Sequence, residues 1–417
     1  MKASVSLADI SAAARRISGH VLCSPCPESI PLAEITGARI CCKLDNLQRT
    51  GSFKERGARN ALELLAPAQR RRGVITASAG NHALGLAYHG KLLRVPVTVV
   101  MPVHAPLIKL ATCERLGARV VLDGQDFSEA RARANALAAE EGLSYINGFD
   151  DPAIIAGQGT MALEILKQVP DVDAIVAPIG GGGLIAGLAV AVKALKPSVK
   201  IVGVESGETA SFTAALKAGR PVAIGRRPTL ADGLAVLEVG ANAFALARRR
   251  VDRVVTVTED WIALAILRMA ELEKAVVEGA GAAPLAALMA GLLPELRGKK
   301  VVLATCGGNI DPAKLSRVIE YGLVADGRLC RFVVSISDRP GGLAALSRVI
   351  AEAGASIKDI THDRAFSGPD VSAVRVICTV ETRDRAHGAT LRRALARAKL
   401  PVLSVDRSWV RQSGSRA

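Results

Sequence analysis

The sequence predicts an α/β fold with parallel sheets, followed by a smaller unit of βαββαβ type. Apolar, β-branched segments alternate with Ala-rich helical segments from about residue 40 to 310, which is the rhythm of parallel sheets covered by helices. After about residue 327 the order becomes strand, helix, strand, strand, helix, strand, as in a ferredoxin-like unit. Half of the residues are hydrophobic but only 3% are aromatic. The core must therefore be built from small aliphatic side chains, as suits buried parallel strands.

The individual elements follow from these patterns. In the first part, strands are predicted at Arg39–Leu44, Gly73–Thr76, Val97–Met101, Arg119–Leu122, Ala174–Ala177, Lys200–Val204 and Lys300–Ala304. Helices are predicted between them at Lys54–Leu65, Ala83–Lys91, Ala105–Leu116, Ser128–Glu140, Gly187–Leu195 and Trp261–Val277. In the second part, strands are predicted at Arg331–Ser337, Ser356–Arg364, Val371–Glu381 and Pro401–Asp406, and helices at Gly341–Glu352 and Arg383–Ala396. Leu323–Arg328 is the predicted linker, and we expect a frayed tail from Ser408.

The formal net charge of +15 raises the question of a nucleic-acid partner. The basic clusters Arg70–Arg72 and Arg248–Arg250 are short and contain no aromatic residues. We therefore expect an Arg-rich, solvated surface and no nucleic-acid partner.

Cysteine usage and hydropathy point to a cytoplasmic protein. The eight cysteines are scattered, and no second pair follows Cys23 and Cys26 at zinc-ligand spacing, so we expect reduced thiols and no metal. Ala174–Val192 is uncharged but contains Pro178 and consecutive glycines, which favours strand, loop and helix over a membrane span. The N-terminal residues have no apolar signal core, so we expect no export and no membrane partner.

The first chemical motif places a lysine where a helix is predicted to begin. Gly51 and Ser52 are suited to cap this helix, which puts Lys54 in its first turn beside the positive end of the helix dipole. The ammonium form is disfavoured there, and the neutral amine is the nucleophile that a Schiff base requires. Taken alone, the segment favours an ordinary surface lysine.

A second motif runs from Thr76 to His82, between a predicted strand and a helix. Small residues let the backbone approach a ligand closely, and the N–H groups of a helix start suit a carboxylate. Asn81 is placed to bond a phenolic oxygen. Taken alone, the motif also fits a capped turn, and His82 fits a packed core histidine.

A third motif consists of four consecutive glycines, Gly180 to Gly183, after a buried strand and before a helix. Such a turn forms an anion cradle, for which a phosphate is the natural ligand. However, Gly181 and Gly183 with Ala186 also satisfy a loose dinucleotide fingerprint, and Glu205 ends the next strand where a ribose-binding acid is expected. Judged by itself, this unit points to NAD.

A fourth motif, Thr305–Asn309, places Cys306 at the carboxyl end of a parallel strand, where ligands gather. By itself this residue is an ordinary buried thiol. The combination is more informative, because a Schiff-base lysine, a phosphate cradle and a polar partner for a ring nitrogen meet the needs of pyridoxal phosphate. NAD would leave Lys54 and Cys306 unexplained.

With these motifs in this order, the sequence resembles the threonine dehydratase (threonine ammonia-lyase) family of fold-type-II pyridoxal-phosphate enzymes, in the form with one C-terminal ACT domain. The resemblance covers nearly the whole chain. It implies a two-lobed catalytic domain over residues 1–327, in which a small lobe of about 45–150 is inserted in the large lobe. An ACT regulatory domain would follow over 328–407, and then a tail over 408–417.

The resemblance also implies roles for individual residues. Lys54 would be the Schiff-base lysine and catalytic base, Asn81 would face the 3′-oxygen of the cofactor, and Cys306 would lie beside the pyridine nitrogen. The cofactor phosphate would be bound by Gly180, Gly181, Gly182, Gly183 and Leu184, and the substrate carboxylate by Ser78, Ala79, Gly80, Asn81 and His82. Asp232–Ala235 and Glu278–Ala282 resemble family segments near the site.

The sequence departs from the family pattern at three positions. Leu84 stands where the family commonly has Gln, next to the Ser78–His82 loop. Ala79 stands where related racemases carry a catalytic serine, which disfavours racemisation. Some relatives bind a divalent cation near Glu205, but Ser211 replaces the second acid here, so we expect no metal.

In the second part, the turn formed by Asp338, Arg339, Pro340, Gly341, Gly342 and Leu343 resembles the effector loop of ACT domains. Its backbone N–H groups would bind an amino-acid carboxylate. Isoleucine is the expected effector, because the reaction would open isoleucine biosynthesis; the alternative is a tight turn in a domain used only for assembly. ACT domains usually pair, so a homo-oligomer, either dimer or tetramer, is expected.

The implied reaction is dehydration and deamination of L-threonine to 2-oxobutanoate and ammonia, with L-serine as a secondary substrate. L-serine dehydratase and hydroxyaspartate ammonia-lyase of the same fold are alternatives. A non-catalytic amino-acid sensor and a dinucleotide-binding oxidoreductase are more remote.

Overall fold

The computed structural model describes residues 4–105, 107–364 and 372–405. It divides into two compact units, Met1–Pro312 and Ala313–Ala417. The predicted strand start Val371, the strand end Asp406 and the tail from Ser408 lie outside the described residues.

The larger sheet of the first unit has six strands in the order β1-β2-β10-β7-β8-β9. These strands are β1 Glu28–Ser29, β2 Arg39–Leu44, β7 Ala174–Pro178, β8 Lys200–Ser206, β9 Arg253–Val257 and β10 Lys300–Thr305. Only β1 is antiparallel to its neighbour. The smaller sheet is parallel, in the order β5-β4-β3-β6. It contains β3 Val74–Ala77, β4 Val97–Met101, β5 Arg119–Leu122 and β6 Ser144–Tyr145, so its strands fall between β2 and β7 in the chain.

Helices connect these strands. They are α1 Leu7–Ile17, α2 Ile30–Thr36, α3 Lys54–Leu64, α4 Pro67–Arg72, α5 Asn81–Leu93, α6 Leu107–Arg115, α7 Phe127–Glu141, α8 Pro152–Gln168, α9 Gly183–Leu195, α10 Ser211–Ala218, α11 Ala241–Ala247, α12 Glu259–Leu272 and α13 Gly279–Met289. The predicted α/β class with parallel sheets is confirmed, because the strands form two sheets whose successive members are joined through helices.

The 17-residue helix α8 was not predicted. It packs against α1, α3 and α9 and is buried along most of its length, so it lacks the polar face by which a surface helix is recognised in a sequence. Glycines allow the close packing: a Cβ on Gly157 would lie 2.6 Å from the carbonyl oxygen of Arg56, and one on Gly187 would lie 2.5 Å from that of Ile155. The backbones of α3, α8 and α9 therefore touch directly.

Buried ion pairs fix α3 in this cluster. The Arg56 guanidinium donates from Nε to Asp45 Oδ2 at 2.6 Å and from Nη1 to Glu164 Oε1 at 2.6 Å. Asp45 and Arg56 are fully buried. A buried charge is tolerated only when paired in this way, so the network ties α3 to the end of β2 and to α8.

Several helix ends differ from the predictions, and three cases bear on the site or on packing. Helix α3 does begin at Lys54, but its N-cap residue is Phe53 and no side chain caps it, in contrast to the predicted caps Gly51 and Ser52. Helix α9 begins at Gly183, four residues before the predicted start Gly187, because the end of the glycine turn forms its first turn. The predicted helix Trp261–Val277 ends at Leu272. Two residues later, Lys274 takes a left-handed conformation with φ 55°.

The second unit carries a four-stranded antiparallel sheet in the order β12-β13-β11-β14. Its elements are α14 Pro312–Asp326, β11 Leu329–Ser337, α15 Gly342–Glu352, β12 Ser356–Asp363, β13 Ala373–Glu381, α16 Arg385–Arg397 and β14 Val402–Val405. The predicted βαββαβ order is confirmed. In the segment predicted as a linker, Leu323–Arg328, the first four residues are helical and belong to α14. The compact units divide at Pro312, before the predicted boundary at residue 327.

No helix in the described residues is long and apolar enough to cross a bilayer. All eight cysteines are free thiols.

Candidate active site

The start of α3 lies against the loop that follows β10. The backbone N–H of Phe53 donates to the carbonyl oxygen of Cys306 at 2.9 Å, and Ser52 forms an isolated β-bridge with Gly307. The first and fourth motifs, which are more than 240 residues apart in the chain, therefore meet in one place.

The Lys54 side chain crosses from α3 to the segment after β6. Its Nζ donates to the carbonyl oxygen of Gly148 at 2.6 Å. Burial lowers the pKa of Lys54 to about 8, while the neighbouring Cys306 and Glu278 act in the opposite direction. The ammonium form is therefore weakened, and the cause is removal of the amine from water.

The glycine turn lies against the residue next to Gly148. A Cβ on Gly181 would lie 2.2 Å from the ring of Phe149, and one on Gly183 would lie 2.4 Å from the carbonyl oxygen of Phe149. Gly182 has φ 91°, which L side chains rarely adopt. Gly148 and Phe149 thus connect the Lys54 amine to the glycine turn, and only glycine fits at the turn.

Gly180 and Leu184, the remaining residues of the glycine motif, lie on either side of the start of α9. A Cβ on Gly180 would lie 2.7 Å from the carbonyl oxygen of Gly233, which belongs to the segment Asp232–Ala235 noted above. Leu184 is buried as the second residue of α9. The N-terminal amides of this helix therefore lie at a turn where backbone can approach an anion closely.

The Ser78–His82 loop connects β3 to α5. Ser78 Oγ accepts a hydrogen bond from the N–H of Gly80 at 3.2 Å, and Ala79 is partly buried beside them. His82 is buried with Nε2 3.2 Å from the carbonyl oxygen of Ile146. Burial and the Lys54 charge lower the pKa of His82 to about 3. His82 is therefore a neutral, packed histidine. The loop residues Ser78–Gly80 lead directly into the first turn of α5.

Asn81 is held from both sides of its amide. Its Nδ2 donates to Glu278 Oε1 at 2.7 Å, and its Oδ1 accepts from Asn309 Nδ2 at 2.8 Å. Asn309 Nδ2 also donates to the carbonyl oxygen of Thr50 at 2.6 Å. Sequence reasoning assigned no role to Asn309 or to the carboxyl of Glu278, although both lie in segments that it had singled out.

Cys306 is buried at the carboxyl end of β10. Burial raises the pKa of this thiol well above its ordinary value, and the nearby Glu278 acts in the same direction. The side chain is therefore an uncharged thiol.

Glu205 is occupied by protein donors. Its Oε1 accepts from the N–H of Phe212 at 2.7 Å, and its Oε2 accepts from the N–H of Thr213 at 2.9 Å and from the Thr213 hydroxyl at 2.5 Å. The carboxylate thus accepts hydrogen bonds from the first turn of α10, where an acidic group is stabilising. Glu205 is therefore engaged by the protein itself, and the structure gives no support for a ribose contact of a dinucleotide site. In the described part of the chain, no group of three or more His, Cys, Asp or Glu side chains is placed to hold a metal ion.

In the second unit, the predicted effector turn joins β11 to α15. Gly341 has φ 95° as the N-cap of α15, and a Cβ on Gly342 would lie 2.1 Å from the carbonyl oxygen of Ser337. The Asp338 carboxylate pairs with Arg364 at 3.1 Å, and Arg339 and Leu343 flank the glycines. The turn is tight and ends at the start of a helix.

Comparison with known proteins decides the family. The family model described as "Pyridoxal-phosphate dependent enzyme" matches residues 17–307. The chain belongs to this family. As a pyridoxal-phosphate-dependent enzyme it is similar to the L-threonine ammonia-lyase of Thermotoga maritima, with 41% identity over 94% of this chain and 97% of that protein.

Two solved structures extend the comparison. Threonine deaminase isoform 2 from Solanum lycopersicum has a TM-score of 0.72 and 38% identity, covering 76% of this chain and 92% of that one. A maize serine racemase has a TM-score of 0.73 and 31% identity, covering 77% of this chain and 98% of that one. The predicted fold type and cofactor class are confirmed.

The residues at the site fit pyridoxal phosphate. Lys54 supplies an amine whose pKa of about 8 leaves a useful neutral fraction, and the glycine turn admits no side chain but offers helix N–H groups to a phosphate. Cys306 supplies an uncharged group next to Lys54. The amine and the turn both contact the Gly148–Phe149 segment, so one molecule with an aldehyde and a phosphate arm suits both.

Proposed function

We propose that this chain is a threonine ammonia-lyase, which converts L-threonine to 2-oxobutanoate and ammonia. The observation that carries the proposal is the junction at Gly148–Phe149, where the amine and the glycine turn of a pyridoxal-phosphate site meet. The substrate comes from similarity, because the T. maritima relative that matches 94% of this chain bears that name.

In this proposal the cofactor is held at three points. Lys54 would bond it covalently, the turn Gly180–Gly183 with Leu184 would bind its phosphate, and Asn81 would donate to its phenolic oxygen. The N–H groups of the Ser78–His82 loop bind the substrate carboxylate, as helix starts do. When bound, the cofactor supplies a conjugated ring that stabilises negative charge developing at the substrate α-carbon.

Lys54 is the proton acceptor in this scheme. With a pKa of about 8 in place of 10.5, the neutral fraction at pH 7 rises roughly three-hundredfold. With cofactor and substrate bound, the neutral Lys54 amine would be the base that takes the α-proton. The buried ion pairs of α3 would hold the backbone of Lys54 in place for this role.

In this proposal, the Cys306 thiol would be the group beside the pyridine nitrogen of the cofactor. A neutral thiol does not stabilise a protonated ring as a carboxylate would, so less charge is drawn into the ring. With Ala79 in place of a hydroxyl on the other face, elimination is favoured over racemisation.

The test is a 2-oxo-acid and ammonia assay on the purified, cofactor-loaded protein. We expect turnover of L-threonine, slower turnover of L-serine, and no D-serine. Faster turnover of L-serine or of 3-hydroxyaspartate would move the assignment to the serine or hydroxyaspartate lyases of the same fold. A protein that binds pyridoxal phosphate but releases no ammonia from any of the three would be the amino-acid sensor.

The second unit is proposed to be a regulatory ACT domain. The match to the T. maritima protein covers 94% of the chain and so continues beyond the family match at residue 307. The tight turn Asp338–Leu343 offers helix-start N–H groups to an amino-acid carboxylate. We propose isoleucine as the effector, in a homo-oligomer of the cytoplasm whose reaction supplies isoleucine synthesis.

The regulatory proposal is tested on the full chain. Threonine turnover is measured with isoleucine, valine and no addition, in the parent protein and in Gly342→Val. The added side chain would meet the Ser337 carbonyl, since a Cβ there already lies at 2.1 Å. We expect an isoleucine response in the parent and none in the variant, and an unchanged response in the variant would remove the turn from consideration.

A further inference from the structure

The carboxyl of Glu278 is directed away from the helix that it precedes. Glu278 is the N-cap residue of α13, yet its side chain makes no capping hydrogen bond in the described structure. Its Oε1 accepts from Asn81 Nδ2 at 2.7 Å, and a Cβ on Gly307 would lie 2.3 Å from the same oxygen. The Glu278 N–H donates to the Gly307 carbonyl at 3.1 Å. The carboxyl is therefore fixed between the Asn81 amide and the loop after Cys306.

This contact determines how the Asn81 amide is turned. Asn309 donates to the Asn81 oxygen at 2.8 Å, so the Asn81 nitrogen faces Glu278. An amide nitrogen carries two N–H groups, and Glu278 accepts one of them. The second N–H is then available for a ligand oxygen. Without an acceptor at position 278, rotation of this amide would cost less.

The carboxyl also contributes charge to the site. It lies near the start of α3, because Gly307, which it approaches, forms a β-bridge with Ser52. The charged groups that act on it are Lys109, Lys54 and Asp232, and it acts on the neutral Cys306. Burial raises the pKa of Glu278 to about 7; Lys109, the Asn81 hydrogen bond and Lys54 act against this rise, and Asp232 adds to it. The charge of Glu278 in turn raises the pKa of Lys54. The charge of each group therefore affects the pKa of the other, at pH values near 7 to 8.

We propose that Glu278 is a positioning residue, which holds the Asn81 amide toward the cofactor and sets the charge around the Lys54 amine. This inference rests on the proposed function, because it takes Asn81 as a cofactor contact and Lys54 as the reacting amine. Glu278 itself acts through these two residues.

Two variants separate the two effects. Glu278→Gln retains an oxygen that accepts from Asn81 but removes the charge. Glu278→Asp retains the charge but is one methylene shorter, so it withdraws from Asn81. Glu295→Gln is the matched control, because Glu295 is an exposed carboxylate that pairs with Arg253 at 2.6 Å on the surface.

The first measurement is the midpoint of Lys54 ionisation in the full-length apoprotein. It is obtained from the pH dependence of amine modification at Lys54, followed by peptide mass spectrometry. We expect a midpoint near 8 in the parent, in Glu295→Gln and in Glu278→Asp. In Glu278→Gln we expect a lower midpoint than in the parent, because an opposite charge near the ammonium has been removed.

The second measurement is the Kd of pyridoxal phosphate, from titration of its visible absorbance. Loss of one hydrogen bond of about 1 kcal/mol corresponds to roughly a fivefold weaker Kd. We expect this loss in Glu278→Asp, and a Kd within twofold of the parent in Glu278→Gln and Glu295→Gln.

Equal midpoints and equal Kd values in the parent and both Glu278 variants would overturn the proposal. So would a reversed pattern, in which only the Asp variant shifts the midpoint. These measurements use no substrate, so they are independent of threonine turnover by the parent. If the parent released no ammonia from threonine, the proposed function would fail while the Glu278 result would stand.

Discussion

The contact between Gly181 and Phe149 gives a sharp prediction for Gly181→Ala. The new methyl would lie 2.2, 2.3 and 2.6 Å from three atoms of the Phe149 ring, well inside van der Waals contact. Phe149 must therefore move, and Gly148, whose carbonyl accepts from Lys54, must move with it. A single methyl group at the glycine turn would thus disturb the Lys54 amine beyond Gly148.

The magnitude follows from the cost of overpacking. Forcing one extra methyl into a packed site costs about 1–3 kcal/mol. If this cost falls on the cofactor-bound state, the Kd of pyridoxal phosphate rises roughly 5- to 150-fold. The Kd is measured by titrating the apoprotein with pyridoxal phosphate and following the absorbance. Urea unfolding of the apoprotein measures any loss of stability that occurs without the cofactor.

Two comparisons make the result interpretable. Gly225→Ala is the control, because a Cβ at Gly225 would meet no atom within 4 Å. Phe149→Ala in the Gly181→Ala background removes the ring that is struck, and we expect a favourable coupling of about 0.5–3 kcal/mol in the double-mutant cycle. Strictly additive effects, or unchanged cofactor affinity in Gly181→Ala, would refute the contact as the link between turn and amine.

Three further predictions test other parts of the site. Lys54→Ala should show neither the visible absorbance of bound cofactor nor ammonia release from threonine, and retained turnover would refute its role. Cofactor uptake by the parent apoprotein should accelerate as pH rises through about 8, because the pKa of Lys54 is lowered to that value and only the neutral amine attacks; a pH-independent stopped-flow rate would contradict this. Arg56→Leu should lower the free energy of unfolding by about 3–5 kcal/mol, because it leaves Asp45 buried without its partner; a loss below about 1 kcal/mol in urea would show that the network is not needed.

The motif residues were predictable because their chemistry is local. Lys54 starts a helix, Gly180–Gly183 forms a strand-to-helix turn, and Cys306 ends a parallel strand, and each of these contexts is visible within a few residues. The alternation of strands and helices likewise gave the α/β class, because buried parallel strands are short, apolar and bounded by polar turns.

The supporting residues were not predictable, because they depend on long-range packing. Glu278 reaches Asn81 across 197 residues, and Asn309 reaches it across 228. Gly148 accepts from Lys54 across 94 residues, and nothing in its neighbours signals this role. Helix α8 was missed for a related reason, since contact on nearly all sides removes the periodic polar positions on which sequence interpretation depends.

The segment at Gly148 follows β6 of the smaller sheet and precedes α8, which packs against α1, α3 and α9. The carbonyl partner of Lys54 is therefore in place only when the smaller sheet is formed. Under the proposed function, a chain whose smaller sheet is open would bind the cofactor less well, whatever the state of the glycine turn. Under the proposed function, the visible absorbance of bound cofactor would therefore report correct assembly of the smaller sheet.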